Sequence, residues 1–287
     1  MKIFDAHTHL RSLDVDSEEI IKRLDAANIS GANLFSVTPQ LSGYKERMDS
    51  LMKVTGSHPD RLFPILFIHP DEEDILSKID DAVSRGVMGF KMICNNYYVY
   101  EDKSMKVLEH IAKAGKPVLF HSGILWGGEV SSKYNKPINW ECCLEIKGLK
   151  FSLAHCSWPW YDECLAVYGK FLNAYSKTGS MSAEMFLDMT PGTPEIYRED
   201  LITKIMTIGY DIKHNLLFGT DCTANNYNVD WAVKWQNIDN QIYDKLAVDE
   251  ETRSLIYSEN MKRFLGMTQS EITHACPLAD GTTVEAR

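Results

Sequence analysis

The residues that could do chemistry start almost at the amino terminus, in Phe4-Asp5-Ala6-His7-Thr8-His9-Leu10. A short apolar run before them reads as a strand, and alternation along a strand puts His7 and His9 on one face. Two neutral imidazoles side by side supply half of a ligand set for a borderline divalent ion such as zinc. A His-X-His pair alone also serves to fill a strand, so the weight falls on where the other polar residues stand. Lys91, His121, His155 and Asp221 each sit at or beside the end of a further short apolar run.

Those runs alternate with amphipathic helical sequence. Strands are predicted over 2–7, 33–37, 63–68, 87–93, 117–120, 151–155, 183–188 and 216–219. Helices are predicted over 17–28, 44–57, 71–85, 102–114, 139–146, 161–177 and from Pro194 to near Gly209. Such alternation requires parallel strands joined by crossover helices. Eight of them in one chain favour a closed (β/α)8 TIM barrel, an α/β single domain over residues 1–266, with helices over 230–265 covering the last strand. From about residue 267 to 287 the composition turns polar and loses periodicity, which predicts a loose tail. In such a barrel the carboxyl ends of the strands meet at one mouth, where His7, His9, Lys91, His121, His155 and Asp221 converge.

Bulk properties narrow the partners. Formal charge is −10 with no basic run longer than a pair, a poor match to nucleic acid or anionic membrane. No apolar stretch reaches membrane-spanning length. The histidine pair arrives too early to leave room for a cleaved leader. Seven cysteines without a Cys-X-X-Cys pair suit reduced thiols, hence a cytoplasmic protein.

As an ordered set, Asp-Ala-His7-Thr-His9-Leu, Gly89-Phe-Lys91, Val-Leu-Phe-His121-Ser-Gly, Leu-Ala-His155-Cys-Ser-Trp-Pro-Trp160 and Leu-Phe-Gly-Thr-Asp221 resemble the amidohydrolase superfamily of metal-dependent barrels. More narrowly they are similar to its amidohydrolase-2 branch, which holds hydrolases and lactonases beside non-oxidative decarboxylases related to aminocarboxymuconate-semialdehyde decarboxylase. The resemblance implies His7, His9, His121 and Asp221 as metal ligands. It makes His155 either a ligand of a second ion or a group that polarises the substrate. Lys91 is either a carbamylated bridge between two metals or a free ammonium. One ion is usual in this branch, so one is expected, zinc first and manganese as the alternative. Similar barrels commonly form homodimers. A glutamate after the fourth strand marks the TatD-like nucleases, and Lys91 stands against them.

A zinc held this way lowers the pKa of bound water towards about 7, and the resulting nucleophile can attack an amide, ester or lactone. Asp221 can carry the water proton to the leaving group, with His155 and Lys91 steadying the oxyanion. The same atoms permit decarboxylation or hydration, with Asp221 or His155 delivering a proton to carbon. No arginine cluster is evident near the strand ends, which tilts the choice towards hydrolysis of a small molecule. A barrel that binds metal without catalysis is a third alternative, opposed by its keeping every expected ligand. Lys91, Tyr97, Trp126 and Trp158 are predicted to contact the substrate, with Asn95, Asn96, Tyr98, Glu129 and Trp160 on the same loops. Tryptophans after a strand also plug barrel rims. Asp5 is expected to support the histidine pair, His69 to be a loop histidine, and Ser122, without a Gly-X-Ser-X-Gly elbow, to be no nucleophile.

Overall fold

The short apolar runs form strands because each is buried on both faces, against helices outside and against one another inside. A computed structural model describes residues 1–192 and 194–268. In it β1 (Phe4–His9), β2 (Gly31–Phe35), β3 (Leu62–Phe67), β4 (Gly89–Met92), β5 (Val118–Phe120), β6 (Lys150–Leu153) and β7 (Glu184–Asp188) are joined by parallel pairing in chain order. The eighth strand is in two pieces, β8 (Leu216–Leu217) on β7 and β9 (Cys222–Thr223) on β1. Between the pieces, the Ala6 N–H donates to the Phe218 carbonyl at 2.9 Å and the Asp221 N–H to the His7 carbonyl at 3.0 Å. First and last strands are thereby sewn together and the TIM barrel closes, as predicted, with one strand broken.

Outside run α1 (Ser17–Ala26), α2 (Tyr44–Gly56), α3 (Ile75–Ser84), α4 (Asp102–Lys113), α5 (Tyr161–Thr178), α6 (Arg198–Thr207) and α7 (Val229–Lys245), then the short α8 (Glu250–Ser254) and α9 (Asn260–Phe264). The cylinder's inner core is Phe4, Ala6, Phe35, Phe63, Ile65, Leu119, Phe186 and Leu217, stopped at the amino-terminal end by Met261, Phe264 and Leu265.

Three local departures from the predicted elements have identifiable causes. The expected helix start at Asp71 moves to Ile75, because the Glu72 carboxylate accepts from the His69 N–H at 2.9 Å and from Arg47 at 2.5 Å, and Asp74 is left-handed. The 139–146 segment winds as a 3-10 helix over Pro137–Glu145. The sixth strand stops at Leu153, because His155, Cys156 and Ser157 are all left-handed, with φ of 58°, 43° and 62°. The predicted 267–287 tail lies, past Thr268, outside the described residues.

One irregularity decides where the chemistry points. The β1–β2 register slips between Asp5 and Thr8. In a regular strand Phe4 and Ala6 would share their inward face with Thr8, not with the histidines. The bulge changes that parity. His7 now lies 4.8 Å and His9 5.0 Å, centroid to centroid, from the inward ring of Phe35.

Candidate active site

The bulge in β1 and the break in the last strand bring three donor atoms together. His7 Nε2 and His9 Nε2 lie 3.2 Å apart, and Asp221 Oδ1 lies 3.2 Å from His9 Nε2 and 3.6 Å from His7 Nε2. Donors bound at zinc's usual lengths and tetrahedral angles are about 3.3–3.6 Å from one another. The triangle therefore matches the edges of a metal's coordination sphere, and among the described residues it is the one such group of histidine, cysteine and carboxylate donors. Asp221 holds its place with φ at 59°, a left-handed conformation that costs a non-glycine residue energy.

Electrostatics keep these groups in the form a metal requires. Burial pushes His7 and His121 well below the usual histidine range and His9 below it, with Lys91 adding to each and Asp221 opposing. A shift in that direction favours the neutral ring, the form that coordination demands. Burial works to raise Asp221, but the hydrogen bond with His9 and the nearby His7 and His9 outweigh it and keep the carboxylate ionised.

His121 sits outside the tight triangle, its ring 5.3 Å from that of His155. Its Nε2 is buried with no hydrogen-bond partner, a state native structures avoid unless something else occupies the atom. The orphaned nitrogen belongs to a ring that lines the same cavity as the triangle, outside the group of donors within mutual reach. His155 stands between, 5.5 Å from His7 by ring centroids, with its Nδ1 3.2 Å from the Thr190 carbonyl. Gly192 makes room for that ring, since a Cβ there would lie 2.5 Å from His155 Nδ1.

Two cations face the same space. Lys91 is 1% exposed, its Nζ has no hydrogen-bond partner and stands 5.0 Å above the Phe35 ring. Burial, opposed by Asp188 and Asp221, brings this ammonium down to about 8. Arg11, two residues past His9, is exposed at the rim, where its backbone N–H donates to Asn225 Oδ1 at 3.1 Å. Both line a cavity of about 320 Å³ together with His7, His9, His121, His155 and Asp221, large enough for a small organic molecule.

Trp126 and Trp158 form one wall, stacked with centroids 6.2 Å apart and an interplanar angle of 11°. Tyr97 does not line the cavity. The loop after β4 turns it inward, where it is buried edge-on against the His69 ring at 4.9 Å. His69 is a loop histidine, its Nε2 3.1 Å from Asn96 Oδ1. Ser122 has its hydroxyl committed to Ser157 Oγ at 2.7 Å. Asp5 is fully buried and ties β1 to the broken strand: it accepts from the His7 and Thr220 N–H groups at 3.0 Å, from Thr220 Oγ1 at 2.5 Å and from the Tyr227 hydroxyl at 2.8 Å. Burial, against these hydrogen bonds, raises its pKa to about 6.

Sequence reasoning missed Arg11, Asp188 and Thr190. Arg11 lies one position beyond the motif that drew notice. Asp188 closes the seventh strand, as His121 directly follows the fifth, and that position was the available signal. A second hollow of about 270 Å³ opens at the opposite end of the cylinder and is lined by Glu184 and Arg263, bonded to each other at 2.7 Å. It contains none of the predicted residues.

A (β/α)8 frame carrying imidazoles, an ammonium and a carboxylate at the carboxyl ends of its strands defines a class of barrel enzymes. The chain belongs to the amidohydrolase family, whose model matches residues 5–267. That membership makes it a hydrolase or a related barrel enzyme. Solved structures share the fold at low identity. One is described as a probable 2-pyrone-4,6-dicarboxylic acid hydrolase from Acinetobacter baumannii with citric acid bound (15% identity, 93% of this chain and 100% of that one, TM-score 0.65). Another is an uncharacterised TIM-barrel protein from Bordetella bronchiseptica (14%, 93% and 99%, TM-score 0.66). A third is a dihydroorotase from Campylobacter jejuni (15%, 94% and 85%, TM-score 0.57). No curated protein matches the chain. No helix among the described residues is long and apolar enough to cross a membrane.

Proposed function

We propose that this chain is a metal-dependent hydrolase acting on a C–N or C–O bond, amide, ester or lactone, of a small carboxylated molecule. One divalent ion, zinc first and manganese as the alternative, would be held by His7, His9 and Asp221, with His121 completing the set. The observation that carries this is the donor triangle with edges of 3.2, 3.2 and 3.6 Å. An ion bound there supplies Lewis acidity that makes water a nucleophile near neutral pH. Asp221, ionised and directed at the triangle, takes a proton from the attacking water and returns it to the leaving group. Lys91 stabilises negative charge on the carbonyl oxygen, and His155, held at Nδ1 by the Thr190 carbonyl, turns its remaining ring nitrogen to the cavity as a proton acceptor. Arg11 and Lys91 hold the substrate's carboxylate, and Trp126 and Trp158 cover its apolar part.

The pairing of Arg11 with Lys91 also favours a second reading, a non-oxidative decarboxylase or hydratase. Two cations can hold one carboxylate while a neighbouring carboxylate is lost. Measuring metal per purified chain, then proton release against CO2 release over lactones and carboxylated aromatics, separates the two. Full turnover in His121→Ala and Asp221→Ala would refute metal catalysis. The six cysteines of the described residues are free thiols, in keeping with a cytoplasmic protein. A homodimer belongs to the same proposal and is checked by sedimentation.

A further inference from the structure

The end of β7 carries a device that no expected ligand accounts for. Asp188 is fully buried; its Oδ2 lies 2.6 Å from His7 Nδ1, and its Oδ1 accepts from the Thr190 N–H at 2.8 Å and from the Thr190 hydroxyl. The carbonyl of the same Thr190 lies 3.2 Å from His155 Nδ1. The first and third of three consecutive residues thus touch the rear nitrogens of two histidines, one on β1 and one just past β6. The middle one, Met189, is anchored from outside: its carbonyl accepts from Arg198 at 2.5 Å, and Arg198 is locked to Asp239 by bonds of 2.7 and 2.6 Å.

An imidazole whose Nδ1 faces a carboxylate or a carbonyl carries its proton there, leaving the Nε2 lone pair free to coordinate or accept. We infer that Asp188 and Thr190 form one positioning unit that sets the tautomers of His7 and His155 together and aims both Nε2 atoms into the cavity. Thr190 commits one carboxylate oxygen of Asp188, so the other is left for His7 alone. A shift of this three-residue segment moves both rings at once. Neither residue reaches the substrate space, and their effect passes through the histidines. The inference uses the proposed assignment of His7 as a ligand, but the tautomers exist without metal and are read separately.

In Asp188→Asn the amide has one acceptor oxygen for two sets of donors. Either its NH2 faces His7, which moves the ring proton to Nε2, or it faces the Thr190 N–H and that bond is lost. Nitrogen-15 histidine spectra of the metal-free protein should show His7 and His155 protonated at Nδ1, and the His7 pattern altered in Asp188→Asn. Chelator competition with Zn2+ should show affinity reduced by about 10- to 100-fold in that variant. Thr190→Val keeps the carbonyl and removes only the hydroxyl, so it should bind the ion more weakly than wild type but more tightly than Asp188→Asn. Circular dichroism checks that each is folded, and Thr190→Val carries the test if Asp188→Asn is not. A wild-type His7 protonated at Nε2, or folded variants with unchanged spectra and unchanged Zn2+ affinity, would overturn the inference. His7 and His155 protonated at Nδ1 in the wild type and the His7 pattern altered in Asp188→Asn, in a protein that binds no metal, would leave it standing and remove the hydrolase proposal instead.

Discussion

Replacing Asp239 by alanine should cost far more than a single ion pair normally does. Asp239 and Arg198 are 0% and 1% exposed and joined by two hydrogen bonds of 2.7 and 2.6 Å, with Arg198 Cζ over the Trp235 ring, 5.3 Å from its centroid. Removing the carboxylate strands a guanidinium in an apolar interior, and breaking such a pair costs about 3–5 kcal/mol. Replacing both partners, Arg198→Met with Asp239→Leu, leaves no buried charge. The remaining loss is the donor to the Met189 carbonyl, about 1–3 kcal/mol. Urea unfolding followed by tryptophan fluorescence measures both, with an unchanged slope confirming that the same surface is exposed. The double variant must be more stable than Asp239→Ala. A single-variant loss under about 1 kcal/mol, the scale of an exposed pair, would refute this account. So would a double variant as unstable as the single one.

Other perturbations bear on the cavity. Gly192→Ala places a methyl 2.5 Å from His155 Nδ1, so the ring must move; turnover should fall about 100-fold while the thermal transition changes little. Lys91 is charged below its pKa and neutral above it, so affinity for a carboxylated substrate should hold at lower pH and fall as pH rises through about 8. Lys91→Met should weaken binding and abolish that step, as titration calorimetry across pH would reveal. Arg11→Gln should raise KM for a carboxylated substrate about tenfold or more with a smaller change in kcat, because the guanidinium acts on binding before chemistry. Equal KM values in steady-state assays would exclude it from substrate recognition.

The barrel was legible because its strands are short apolar runs and its helices amphipathic, so period alone separates them. The broken eighth strand was not, since Asp221 adopts a left-handed backbone that no composition signals. Alternation correctly placed His7 and His9 on one face, yet which face depended on a bulge set by pairing with β2, a contact between residues far apart in the chain. Tyr97 failed as a wall of the cavity because loop direction, unlike strand direction, has no period. Asp188 escaped notice for another reason. A polar residue at a strand end gains meaning only when the ring it faces is known, and His7 lies 181 positions away.

The seam between the first and last strands has a consequence for how the site comes into being. Two donors of the triangle stand on β1 and the third lies between the two pieces of the broken last strand, so six further strands separate them along the chain. The triangle exists only when the ring shuts. An ion spanning it would act as a rivet across the closure, favouring the shut form by mass action in proportion to its concentration. Stripping the ion should then loosen Phe4–His9 and Cys222–Thr223 first, visible as faster amide exchange along that one join while β3 to β6 stay protected.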